Sequence, residues 1–133
     1  MKTLKLTKVL AVIMLTGVFS CRKAGTGGDA MLMVHPEHHG ISIINHIGYP
    51  DTVFLKFNVD EMPGTKPSDY DTYFVGTPPE DFVHCHGLKA GKYYVYVTGM
   101  DSAGPYRVMG GIPLKIKYSQ RNDEIMLMVP VVE

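Results

Sequence analysis

Apolar and polar residues alternate with a period of two along most of this chain, and no stretch sustains the 3.6-residue period of an amphipathic helix. The pattern therefore predicts strands throughout. The strongest lies at residues 93–98 (Tyr-Tyr-Val-Tyr-Val-Thr), all aromatic or β-branched types that suit a pleated surface. Tyr93, Val95 and Val97 share one face of it, and Tyr94, Tyr96 and Thr98 the other. Upstream, Val83 and Cys85 alternate with His84 and His86, and Gly87-Leu88-Lys89-Ala90-Gly91 joins the two runs. A short connection bracketed by glycines predicts a hairpin, with the apolar set inward and both histidines outward.

The rest of the chain reads the same way. Residues 31–34 open the fold, and Pro36 is expected to end that strand. His38-His39-Gly40 reads as a turn, residues 41–44 as a short extended piece and residues 48–51 as a second turn. Residues 52–59 form a clear strand with Val53, Leu55 and Phe57 on one face. Two prolines and a glycine in the polar stretch 60–71 exclude regular strand there. Residues 72–75 form a brief strand and residues 106–109 an edge strand. Residues 112–118 and 124–129 form a last hairpin around the polar loop 119–123. Seven or eight short strands at turn-marked intervals predict an all-β fold, a single Ig-like β-sandwich. Its expected core holds Leu32, Val34, Val53, Leu55, Phe57, Val83, Cys85, Leu88, Tyr93, Val95, Val97, Ile116, Leu127 and Val129.

Composition sets bounds on this picture. At 133 residues and 45% apolar content the chain suits one globular domain. Zero formal net charge gives no basic surface and so no expected nucleic-acid partner. Two cysteines exclude a disulfide scaffold.

The first 20 residues stand apart. Lys2, Lys5 and Lys8 precede the apolar run 9–15, which is too short to span a bilayer as a helix. Val18-Phe19-Ser20-Cys21 resembles the lipobox of bacterial lipoproteins. The resemblance implies a signal peptide at 1–20, cleaved before Cys21, and lipid on the cysteine sulfur. The Gly-rich residues 21–29 then read as a flexible tether and residues 30–133 as the sandwich. The expected place is the bacterial cell envelope, membrane-bound through the lipid and facing the periplasm or the exterior. The mature chain carries three fewer lysines and no fewer acids, for a net charge of −3. Cys85 is then left unpaired, which suits a buried, inert thiol.

A second resemblance rests on residues 53–57 and on Gly87-Leu88-Lys89-Ala90-Gly91-Lys92-Tyr93. The phrase Gly-Leu, two residues, Gly, one residue, Tyr is similar to that of prealbumin-like (transthyretin-like) domains, above all carboxypeptidase regulatory-like and Cna-B-type modules. That resemblance implies a non-enzymatic stalk, accessory or partner-binding unit. The hydroxyisourate hydrolases that resemble transthyretin end in Tyr-Arg-Gly-Ser, whereas residues 129–133 here are Val-Pro-Val-Val-Glu. Cna-B modules often form an isopeptide bond from a lysine; the candidate Lys56 alternates to the face away from Val53, Leu55 and Phe57.

Histidine is the best chemical lead. His84 and His86 project from one face of a strand, and His38 and His39 lie in a turn that would complete a zinc or copper site if the first strand packs alongside. Tyr94 and Tyr96, if outward, form an aromatic ligand platform. The acids at 60, 61, 69 and 71 follow no calcium-loop spacing, and no Gly-x-Ser-x-Gly motif occurs. The sequence thus predicts a non-catalytic, lipid-anchored envelope module without a cofactor that binds a protein or glycan partner. The alternative is a zinc- or copper-binding lipoprotein.

Overall fold

A computed structural model describes residues 22–133, so the expected signal peptide and Cys21 lie outside the described residues. Eight strands follow in chain order: β1 (Thr26–His38), β2 (Ile41–Ser42), β3 (Thr52–Phe57), β4 (Thr72–Val75), β5 (Val83–Leu88), β6 (Gly91–Asp101), β7 (Tyr106–Ile116) and β8 (Glu124–Pro130). Two single 3₁₀ turns, Pro67–Asp69 and Tyr118–Gln120, are the only helical elements among the described residues. The strands form two four-stranded sheets. In the first, β1 is central, antiparallel to β5 and β2 and parallel to β8; the second has the antiparallel order β4-β3-β6-β7. The fold is an all-β sandwich.

Alternation builds the core as expected. Leu32, Val34, Val53, Leu55, Val83, Cys85, Leu88, Tyr93, Val95, Val97, Ile116 and Val129 are all buried between the sheets. Phe57 and Leu127 are only partly buried at its margin, while Ala24, Ala30, Ile43, Ala90, Val108 and Val131 join it. Burial pushes the Cys85 thiol up, so it stays protonated and inert.

Both expected hairpins are absent. β5 pairs with β1 and β6 pairs with β3 and β7, so the Gly87–Gly91 phrase carries the chain from one sheet to the other. Gly87 takes a positive φ of 73°, and Leu88 and Ala90 turn into the core on either side of exposed Lys89. A hairpin would leave those two side chains outside. The last pair fails likewise: β8 runs parallel beside β1, with Leu32 opposite Ile125 and Val34 opposite Leu127. The true hairpin is β6–β7, closed by residues 102–105 between Asp101 and Tyr106. Pro36 does not end β1; its carbonyl accepts the Ile43 N–H at 2.9 Å and pairing continues to His38.

The expected tether is a docked segment. β1 begins at Thr26, Ala24 is buried, and the Gly25 N–H donates to the buried Tyr93 hydroxyl at 3.0 Å. The Ala24 N–H donates to Asn58 Oδ1 at 3.0 Å, and the Lys89 N–H to the Gly25 carbonyl at 2.9 Å. Glycine at 91 permits this approach: a Cβ there would meet Ala24 N at 2.5 Å. Glycine-rich composition signalled flexibility, but the same small residues let backbone pack on backbone.

Candidate functional site

The end of the sandwich opposite residue 22 collects the chemistry. His38 pairs with Ile41, leaving His39 and Gly40 as a two-residue turn with φ of 53° and 76°. Both values are positive, as a type I′ hairpin turn requires. The turn folds the exposed His39 ring against that of His38, with centroids 4.0 Å apart. From the other side, β8 hands the chain across the gap between the sheets. The Val131 N–H donates to the Glu37 carbonyl, and Val132 and Met109 exchange two backbone hydrogen bonds. This route delivers Glu133 beside the histidines: ligand atoms of His38, His39 and Glu133 lie within 4.8 Å of one another.

Asp101, at the end of β6, completes the group. Its Oδ2 lies 2.6 Å from His38 Nδ1, and its Oδ1 accepts the Ala103 N–H at 2.9 Å. An ionised carboxylate only accepts, so His38 Nδ1 is the donor and Nε2 is the ring nitrogen left free of this bond. The His38 hydrogen bond first, and the Ala103 one next, hold the Asp101 carboxyl below its usual range. A carboxylate that fixes an imidazole in this way is the common support behind metal-binding histidines. Two imidazoles and a carboxylate with one position left for water match the donor set of open zinc sites. Bonds of about 2.0–2.2 Å require ligand atoms about 3.4 Å apart in a tetrahedron. The ligand atoms here lie within 4.8 Å, so the exposed His39 and Glu133 side chains would have to draw closer to hold an ion.

His84 and His86 do not join this group. They are exposed on the outer face of β5, with His84 opposite Met33, five residues before His38 on β1. That places His84 about 16 Å along the strand from His38, whose side chain is on the buried side. The His84 ring packs on Phe82 at 4.8 Å and that of His86 on Phe74 at 5.5 Å. The expected site of His84 and His86 with His38 or His39 is therefore split, because the turn bearing His38 and His39 sits at the end of the sandwich.

Tyr94 and Tyr96 are not an outward platform. They are 8% and 2% exposed, because the 60–71 loop folds back over the second sheet. Tyr70 stacks on Tyr96 with centroids 5.4 Å apart and rings 12° from parallel, and its hydroxyl donates to the Gly64 carbonyl. Phe54 and Val59 close this second, aromatic core. Lys56 meets Asp71 Oδ1 at 3.3 Å on that same outer side, both about one-third exposed, which is an ordinary ion pair rather than an enclosed lysine.

Asn45 also escaped the sequence reading. It is 2% exposed; its Nδ2 donates to the Glu80 and Phe82 carbonyls and its Oδ1 accepts the Asp51 N–H at 2.7 Å. It pins the 43–51 loop to the 76–82 connection. Ile44 and Ile47 on that loop are 50% and 94% exposed, and Ile41 on neighbouring β2 is 72% exposed. Asp101, Glu133 and Asn45 carry no local motif, so only the fold could bring them into view. Compared with family models, curated proteins and solved structures, the chain matches none.

Proposed function

We propose that this chain is a non-catalytic binding module of the bacterial cell envelope, held at a membrane by lipid on Cys21, that engages a protein partner with the end opposite the anchor. The three isoleucines carry the reading. Single exposed apolar residues are ordinary, but three within seven positions, Ile41 on β2 and Ile44 and Ile47 on the loop held by a buried asparagine, offer apolar surface for a partner. A glycan is the weaker candidate, because the tyrosines that would stack on sugar are covered. The Gly87–Tyr93 phrase supports a prealbumin-like accessory role. Its Leu88 and Tyr93 are fully buried, and Tyr93 is hydrogen-bonded to both flanking segments.

Photo-crosslinking from position 47 of the full-length protein in its host tests this reading. A discrete adduct that disappears in Ile41→Asp/Ile44→Asp is the expected result. No discrete adduct, or one indifferent to those changes, overturns the patch.

The His38, His39, Glu133 and Asp101 group favours a second reading, a bound divalent transition metal such as zinc or copper. Zinc titration should give one ion per chain. His38→Ala should abolish it, and Asp101→Asn should weaken it about tenfold through lost orientation. His84→Ala/His86→Ala should leave it intact. Binding unaffected by His38→Ala refutes this site.

A further inference from the structure

At the end of the sandwich where the described chain begins, a cleft of about 390 Å³ opens between the docked residues 22–29, the β5–β6 corner and the connection before β8. Arg22, Lys23, Lys89 and Arg121 line it, with Asp29 as the one acid. All four cations are exposed, and among the described residues none forms an ion pair within 4.0 Å. Two of them share one aromatic ring. The Arg22 guanidinium lies 3.2 Å from the centroid of Tyr118 and that of Arg121 lies 4.1 Å from it. Arg121 is steadied further by donating to the Tyr118 carbonyl at 3.0 Å. Like charges that share one ring repel one another, and an anion near both relieves the repulsion. The rest of the mature chain is net acidic, so this end stands out against the molecule's own charge.

We infer that this cleft binds the phosphate of an anionic phospholipid headgroup and seats the domain directly on the bilayer. Position argues for a lipid over a free phosphate. Arg22 follows Cys21 in sequence, and one residue spans at most about 3.6 Å. Because residues 24–29 are docked rather than loose, an acyl chain on Cys21 has no tether along which to stand off. The cleft is then held at headgroup depth, where each Lys or Arg near an anionic surface strengthens binding. Its volume lies within the range of small-ligand sites and admits a phosphorylated headgroup. The inference rests on lipid attachment at Cys21 for its choice of ligand, but the cleft itself is tested without that lipid.

The test uses the unlipidated mature chain with Cys21→Ser; both its cores, the main one from Ala24 to Val131 and the aromatic one around Tyr96, lie wholly within that chain, so it folds as a unit. Co-sedimentation is measured with vesicles of phosphatidylcholine alone and with added phosphatidylglycerol, at low and high salt. Binding to the phosphatidylglycerol vesicles only, weakened by salt and at least tenfold in Lys89→Glu/Arg121→Glu, is the expected outcome. Arg107→Glu at the opposite end should leave it unchanged, and the melting temperature shows that each variant is folded. Failure to bind the anionic vesicles, or equal binding by Lys89→Glu/Arg121→Glu, overturns the proposal. Binding of inorganic phosphate in the cleft with no vesicle binding overturns the membrane assignment and leaves a free phosphate ligand. The mass of the chain purified from its host reports lipidation separately, so an unlipidated Cys21 is distinguishable from a cleft that does not bind.

Discussion

Asp51 is fully buried just before β3, and neither carboxylate oxygen has a hydrogen-bond partner of good geometry among the described residues. Burial, opposed only weakly by the Met100 N–H, raises its pKa from 3.8 to about 7. Between those values the folded chain holds a proton that the unfolded chain has lost, so stability falls as pH rises through that window and levels off above it. The full effect is up to about 4 kcal/mol. Asp51→Asn should therefore stabilise the fold at pH 8 and change little near pH 4, as read by urea unfolding at both. Equal effects at the two pH values would sink this account. Tyr93 makes the opposite case of a satisfied buried group. Its hydroxyl donates to the Lys89 carbonyl at 2.7 Å and accepts the Gly25 N–H at 3.0 Å. Tyr93→Phe leaves that amide orphaned and should cost about 1–3 kcal/mol. Hydrogen exchange at Gly25 should rise with it; an unchanged rate would mean the docked segment is held by other contacts.

Among the elements, the corner between β5 and β6 decides how the two sheets close. Its backbone needs glycine at 91, where a Cβ would strike Ala24 N at 2.5 Å and Ala24 Cα at 2.7 Å. Neither atom can yield without undocking the segment that starts β1. Gly91→Ala should expel residues 22–25 and expose them to protease, while β6–β7 pairing survives. Resistance equal to wild type would show that the corner tolerates a side chain. The 60–71 loop is the second such element. Tyr70→Ala removes the ring stacked on Tyr96 and should cost roughly 2–4 kcal/mol, with new cleavage inside the loop.

The whole molecule has two unlike ends. One carries residue 22, Lys89 and Arg121; the other carries His38, His39, Glu133, Asp101 and the exposed isoleucines. β1 runs between them, and twelve steps along it span roughly 40 Å or less. Spin labels placed at residues 89 and 47 of the chain bound to anionic vesicles should therefore differ. The label at 89 should sit near the phosphates, and the one at 47 tens of ångströms into solvent. Equal depth for both would contradict a seated domain.

What the sequence determined by itself is the material of the sheets. Period-two alternation sets which side of each strand faces inward, because register and pleat leave no other way to bury Val53, Leu55, Val95 and Val97 together. Cys85 faces inward and His84 outward for the same reason. Local signals went no further than local structure. A glycine-bracketed connection looks alike whether it makes a hairpin or a corner, and the choice fell to the core, which needed Leu88 and Ala90 inside and β8 beside β1. The tyrosine face was read as open because nothing in residues 60–71 announces that the loop returns. The candidate metal-ligand group of His38, His39 and Glu133 joins residues almost a hundred positions apart. Only the parallel β1–β8 ladder and the Val132–Met109 crossing bring them together. Side-chain direction is a property of neighbouring residues, whereas strand partnership is settled by burying the whole apolar surface at once.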